Sequence, residues 1–311
     1  MNRELFGDRL AARVEARASQ LVVGLDPDPM SLWPRAYELT ESQGPGSQLS
    51  ASARAAFAVA AHCALVIEAV AGHAVAVKLQ VACFERLGPP GWAALSESAQ
   101  RAREHGLLVL ADGKRGDIDV TAAAYAQTYF GTTPTPYGEV PGIAADGLTV
   151  NPLLGIDSLR PLVQAARDSG AGVFALVRTS NSGAADVQDR PLERGGTVSE
   201  RLAEIVRELG RDGVGNSGLS DVGAVVGATV PDRLARLREL MPETIFLLPG
   251  VGAQGGRVDA LAPALGEHPA SVLISASRGI VGASGGQGGD PAGAARREAA
   301  KLQELAWNLG R

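Results

Sequence analysis

Four charged residues stand together in the run Asp112-Gly113-Lys114-Arg115-Gly116-Asp117, directly after the apolar stretch Leu107-Leu108-Val109-Leu110-Ala111. Side chains alternate along a strand, so Asp112 and Lys114 project to the same face and Asp117 falls in the turn beyond. An acid, a base and a second acid at one strand end could move a proton or hold a charged ligand. Desolvating an ion costs several kcal/mol unless a partner offsets it. A structural ion pair at a strand terminus satisfies that condition as well as a substrate would, so these six residues alone leave both readings open.

The elements that must position these groups can be read along the chain. Apolar strands are predicted at 21–26, 75–80, 107–113, 147–151, 172–180, 222–229, 244–250 and 271–276. Helical stretches lie between them near 50–71, 92–105, 118–130, 157–169, 198–210, 231–240 and 256–265, with a last one at 291–309. Asp157, Pro231-Asp232 and Asp290-Pro291 mark helix starts. Such alternation predicts an α/β fold, a (β/α)8 TIM barrel formed by a single domain over residues 1–311, with an N-terminal helix and loop insertions. A doubly wound open sheet is the alternative, but it would gather its ligand groups at one switch point. Here polar residues follow many strands: Asp26, Lys78, Asp112 with Lys114, Asn151, Thr179 with Ser180, Gln254 and Arg278. Inserts at 41–50, 182–196, 210–220 and 284–290 lengthen loops, and the one at 182–196 is a candidate lid.

Loops after the seventh and eighth strands of such barrels commonly bind phosphate. Gly250-Val251-Gly252-Ala253-Gln254-Gly255 follows the seventh strand, which favours a cradle of backbone amides around Gly252 over a dinucleotide fingerprint. Arg278 can add a bidentate guanidinium to the same phosphate.

The stretch Asp112 to Asp117, continued by Ile118 and Thr121, resembles the active-site signature of the orotidine 5'-phosphate decarboxylase family. Further segments resemble that family's longer (type 2) branch: Val77-Lys78-Leu79-Gln80-Val81-Ala82-Cys83-Phe84-Glu85-Arg86-Leu87-Gly88, Thr149-Val150-Asn151-Pro152-Leu153-Leu154-Gly155, Arg178-Thr179-Ser180-Asn181 and Pro249 to Gly256. Gly113 and Leu79 depart from it, standing where a small residue such as alanine and a proline are expected. The resemblance implies decarboxylation of orotidine 5'-phosphate to uridine 5'-phosphate in pyrimidine biosynthesis, with no cofactor and no metal. It implies that Asp112 crowds the substrate carboxylate, that Lys114 stabilises the C6 carbanion and protonates it, and that Lys78 and Asp117 hold the array. It further gives Asp26 a ribose hydroxyl, Ser180 the base edge and Gln254 a bridge from phosphate to pyrimidine. Asp117 and Thr121 are expected to serve the neighbouring subunit's site, hence a homodimer with shared active sites. On the residues alone, Asp26, Ser180 and Asn151 read equally well as turn or capping residues.

A related barrel enzyme, a magnesium-dependent sugar-phosphate decarboxylase or aldolase, would use the same acids as metal ligands. Lys78, Arg115-Gly116-Asp117-Ile118 and Arg178 to Asn181 match the pyrimidine branch instead. A binder of a phosphorylated ligand that lost turnover would have no need of four charges at a strand end. The net charge of −5 and pI near 5.5 give no pull toward nucleic acid or an anionic membrane. Cys63 and Cys83 lie in apolar segments without metal-ligand spacing, as expected of buried thiols in a reducing compartment. The N-terminus has a helical stripe without a signal-type apolar run, and no run is expected to reach the roughly 18 apolar residues of a membrane span, so the expectation is a cytoplasmic protein with no membrane partner.

Overall fold

Eight short apolar segments become the parallel strands of a closed barrel in the computed structural model of the chain, which describes residues 4–43, 49–252, 255–283 and 289–309. The barrel strands are β1 (Leu21–Leu25), β2 (Ala76–Gln80), β3 (Leu108–Arg115), β6 (Gly147–Val150), β7 (Gly172–Arg178), β8 (Val222–Val226), β9 (Phe246–Pro249) and β10 (Val272–Ala276). Each pairs with the next, and β1 closes the ring on β10. β4 (Thr132–Thr135) and β5 (Gly138–Pro141) form a separate antiparallel hairpin. The helices are α1 (Phe6–Arg17), α2 (Pro34–Gln43), α3 (Ala51–Val70), α4 (Val81–Glu85), α5 (Pro89–Glu104), α6 (Asp119–Tyr129), α7 (Ile156–Asp168), α8 (Ala184–Val187), α9 (Val198–Gly210), α10 (Pro231–Leu240), α11 (Arg278–Val281) and α12 (Pro291–Leu309). The expected (β/α)8 barrel is therefore the observed fold.

The local signals explain most boundaries. Pro231 opens α10, Pro291 begins α12, and Thr197 with Glu200 forms a capping box on α9. The helix expected at 256–265 is instead a 3-10 helix, Val258–Ala264, with Pro263 in its last turn. β7 ends at Arg178 and β8 at Val226, short of the expected 180 and 229, whereas β3 runs on to Arg115.

Two apolar clusters divide the core. One lies between strands and helices; the other fills the barrel with Val22, Ala76, Leu108, Leu110, Phe174, Val225, Leu247 and Leu273. α1 plugs this second cluster from the end where strands begin, with Phe6 meeting Phe174 edge-on at 5.9 Å. Gly223 makes room for that ring, since a Cβ there would lie 2.5 Å from Phe174. The insert at 210–220 sits at this same end, where Asp8 of α1 accepts the amides of Asn216 and Ser217 at 3.0 and 2.7 Å. It is thus remote from the strand ends that carry the charges. α3 corrects the expectation that no run approaches membrane-span length: its 20 residues reach a mean hydropathy of 1.6, and 56% of that window is buried. It packs on α5, α2 and α12 as a core helix.

Candidate active site

The rows of side chains that fill the barrel continue upward into the charged residues. Ala76 is followed on the same face by Lys78 and Gln80, and Leu108 and Leu110 by Asp112. Thr149 of β6 pairs with Phe174 and shares its inward face. These strand ends converge on one carboxylate. Asp112 Oδ2 accepts from Lys78 Nζ at 2.9 Å and Gln80 Nε2 at 3.3 Å, while Oδ1 accepts from Lys114 Nζ at 2.6 Å and Thr149 Oγ1 at 2.8 Å. Lys78 also approaches Asp26 Oδ1 at 3.8 Å. Of the charged residues expected at the strand ends, Asp26, Lys78, Asp112 and Lys114 are thereby drawn together.

Asp112 and Lys78 are both buried. Burial alone would push the Asp112 carboxyl up, but Lys78 and Lys114 overcome it and hold it well below the usual carboxylate range. Burial alone would lower Lys78, and the carboxylates of Asp112 and Asp26 raise it instead. Lys78 and Asp112 thus each favour the charged form of the other and form a coupled ionic pair. Among the described residues no three His, Cys, Asp or Glu side chains converge as metal ligands.

Asp26 and Arg278 share a second feature, a cavity of about 340 Å³ whose walls also include Ser277, His62 and Cys63. Ser277 Oγ donates to Gly24 O at 3.0 Å, which ties β10 to β1 beneath it. Burial lowers His62 to about 4 and raises Cys63 to about 12, so neither is a ready acid, base or nucleophile near neutrality. Ser180 lies just past β7, its backbone 2.7 Å from where a Cβ on Gly227 would stand. The 182–196 segment is anchored here: Asp189 grips Arg178 with two hydrogen bonds of 2.9 Å, and Gln188 accepts the Thr179 amide at 2.8 Å.

Other predicted residues stand apart from the array. Asp117 accepts the Ile118 amide at 2.8 Å, and Thr121 is exposed on the first turns of α6. Neither contacts Asp112. Asn151 accepts the Leu153 amide at 3.1 Å, which makes it a cap for the following turn. Gly252 has a φ of 77°, in the left-handed region that favours glycine. The expected amide cradle is closed on itself: Gly252, Gly255 and Gly256 donate to carbonyls of the same loop at 2.9, 2.8 and 3.0 Å. Gln254 lies outside the described residues.

The family model for orotidine 5'-phosphate decarboxylase / HUMPS matches residues 19–297. The chain belongs to this family. An orotidine 5'-phosphate decarboxylase of Deinococcus radiodurans is 47% identical over 247 residues, covering 79% of this chain and 84% of the relative. One from Rhodopirellula baltica is 40% identical over 279 residues, covering 89% and 88%. The solved structure of Leishmania donovani OMP decarboxylase superposes with a TM-score of 0.74 at 31% identity, covering 98% of each chain. That of Leishmania donovani UMP synthase gives a TM-score of 0.75 at 32% identity; this chain spans 56% of its length.

Within this decarboxylase family fold, sequence reasoning passed over Gln80 and Thr149 as parts of the site. The signal for Gln80 was available, since it stands two residues beyond Lys78 on the same face. Thr149 needed the pairing of β3 with β6, which no local pattern supplies. Glu85, Arg115 and Tyr129, which meet on the outer side of β3, were also missed.

Proposed function

We propose that this chain decarboxylates orotidine 5'-phosphate to uridine 5'-phosphate, as a member of the family's longer branch acting in pyrimidine biosynthesis. The observation that carries the reading is one buried carboxylate, Asp112, held between two lysines at barrel strand ends, in a chain 47% identical to a protein of that name. Breaking the C6–carboxylate bond releases carbon dioxide and leaves an electron pair on C6 in the ring plane. Fixed charges must then stabilise the transition state, and a proton must be at hand. Asp112 stands against the departing carboxylate, and the Lys114 ammonium faces the developing carbanion and gives C6 its proton. Solvent returns a proton to Lys114. Lys78, itself buried, keeps Asp112 in place.

Remote groups bind the rest of the substrate in this reading. Arg278 and Gln254 take the phosphate, with Gly252 turning the loop while its own amide stays on the Gly256 carbonyl, Asp26 takes a ribose hydroxyl and Ser180 the base edge. Asp117 and Thr121 complete the site of a second copy, forming a homodimer with shared sites. Support comes from their separation from Asp112 within one chain and from the exposed apolar Ile118 and Val120 beside them. We place the reaction in the cytoplasm, without cofactor or metal and without nucleic-acid or membrane partners.

The competing reading within the same family is metal-assisted sugar-phosphate chemistry. Asp112 argues against it, because both of its oxygens are already engaged by four protein donors. The test is the ultraviolet absorbance change of orotidine 5'-phosphate with purified protein in excess EDTA, beside Lys114→Ala. Conversion abolished by the substitution is expected. No conversion until magnesium and a sugar phosphate are supplied would move the chain to the rival branch.

A further inference from the structure

The backbone that carries Lys114 is irregular. β3 and β6 pair in register at Leu110 with Gly147 and Ala111 with Leu148, then lose step and resume at Arg115 with Val150. Four steps along β3 therefore answer two along β6, a bulge that re-aims a side chain. Within it Lys114 has a φ of +49°, a left-handed conformation that a long side chain adopts only when its surroundings impose it.

Two sets of contacts bracket this residue. On the inner side, the Lys114 amide donates to Thr149 Oγ1 at 3.0 Å. On the outer side, Arg115 is gripped by its neighbours: Nε donates to the Tyr129 hydroxyl at 3.2 Å, the guanidinium pairs with Glu85, and it lies 5.6 Å from the centre of the Tyr125 ring. Tyr129 is fully buried, and the Arg115 carbonyl accepts the Asn151 amide at 2.8 Å. Glu85 closes α4, which follows directly on the strand bearing Lys78. The Arg115–Glu85 pair thus links the strand of one lysine to the strand of the other, on the face away from the array.

We propose that Arg115 is a positioning residue: clamped by Glu85 and Tyr129, it forces Lys114 into the bulge and so aims its ammonium at Asp112. The inference rests on the decarboxylase reading for its kinetic effect, although its geometric claim stands apart from it. Arginine suits this position because two nitrogens of its planar fork meet the tyrosine hydroxyl and the carboxylate separately.

Three variants test it: Arg115→Met, the milder Glu85→Gln, and the two combined. Turnover by the wild-type protein decides the decarboxylase reading separately. Relative to wild type, Arg115→Met should lose on the order of 100-fold in kcat, the effect of a displacement near 1 Å in a reacting group, with KM unchanged. Glu85→Gln should fall in the same direction, and the double variant should be no slower than Arg115→Met, because the two residues act as one unit. A lowered melting temperature with unchanged kcat would reduce the clamp to a structural tie and overturn the proposal. A raised KM at constant kcat would overturn it too, by making Arg115 a substrate contact. A crystal structure of Arg115→Met supplies the readout that needs no turnover: Lys114 should leave the left-handed region and its ammonium should leave Asp112. Retention of both refutes the inference even if the wild-type protein converts no orotidine 5'-phosphate.

Discussion

Thr149→Val isolates one hydroxyl that does two things. Thr149 Oγ1 donates to Asp112 at 2.8 Å and accepts the Lys114 amide at 3.0 Å, and the residue is only 2% exposed. Valine fills the same volume without the hydroxyl, so packing is conserved and polar satisfaction is not. A hydrogen bond to a charged group contributes about 1.5–3 kcal/mol. Asp112 keeps its other three donors, so the loss at the carboxylate falls near the lower end, about 1.5 kcal/mol. The Lys114 amide then lacks its partner, and because its surroundings are only partly buried, water replaces part of the bond, leaving roughly another 1 kcal/mol. A total near 2.5 kcal/mol corresponds to a fall of about 5 °C in melting temperature at ~2 °C per kcal/mol for a large domain. If the Asp112 contribution is expressed fully in the transition state, kcat drops about tenfold. Calorimetry and the absorbance assay read the two quantities, with Thr149→Ser as the control that restores the hydroxyl. Wild-type kcat and stability in Thr149→Val would refute the bridging role. So would a Thr149→Ser protein as impaired as the valine variant, since the hydroxyl would then be present and restore nothing.

Gly113→Ala should keep turnover within about tenfold of wild type, because Gly113 is outside the left-handed region and an added Cβ meets the Tyr129 hydroxyl at 3.1 Å, a contact eased by a small shift. A larger loss in the absorbance assay would show that the Tyr129 contact with Arg115 tolerates no displacement. The Asp112 carboxyl is depressed in the folded protein, so its ionic contribution is present above the unfolded value near 3.9 and is lost as pH falls through the lower folded value. Denaturant titrations should therefore show the stability gap between wild type and Asp112→Asn constant at neutral pH and narrowing below about pH 4; a gap that narrows already near pH 6 would contradict the assignment.

The barrel was legible because each of its strands is a short apolar run closed by turn residues and spaced by a helical pattern. Parity did the rest, since Lys78 and Asp112 inherit the inward face of Ala76 and Leu110. The hairpin of β4 and β5 was hidden because Pro134, Pro136 and Pro141 within ten residues read against strand pairing. The bulge at Lys114 was hidden for a different reason. Alternation placed Lys114 on the face of Asp112 as though β3 were regular, and the result is right only because the displaced backbone is compensated by a left-handed residue. Thr149 and the Arg115 clamp join residues far apart in sequence through strand order and helix packing, which no local pattern encodes. The closed glycine loop shows the converse: Gly252 was correctly placed after the seventh barrel strand, but the use of its amide depended on carbonyls only the folded loop supplies.

The different surroundings of the two lysines support the division of labour proposed for them. Both touch Asp112, yet the Lys78 side chain is 9% exposed and that of Lys114 is 46% exposed. A proton donor must reach the substrate and recover its proton from solvent in each turnover, whereas a group that fixes a carboxylate gains from being sealed. Lys78 is confined between Asp112 and Asp26, and giving up its proton would leave the buried Asp112 charge less compensated. Lys114 can swing from Asp112 toward a ligand while Lys78, Gln80 and Thr149 continue to hold the carboxylate. The carboxylate therefore keeps three of its donors without the Lys114 ammonium, and the more exposed lysine is the one whose backbone lies on the bulge.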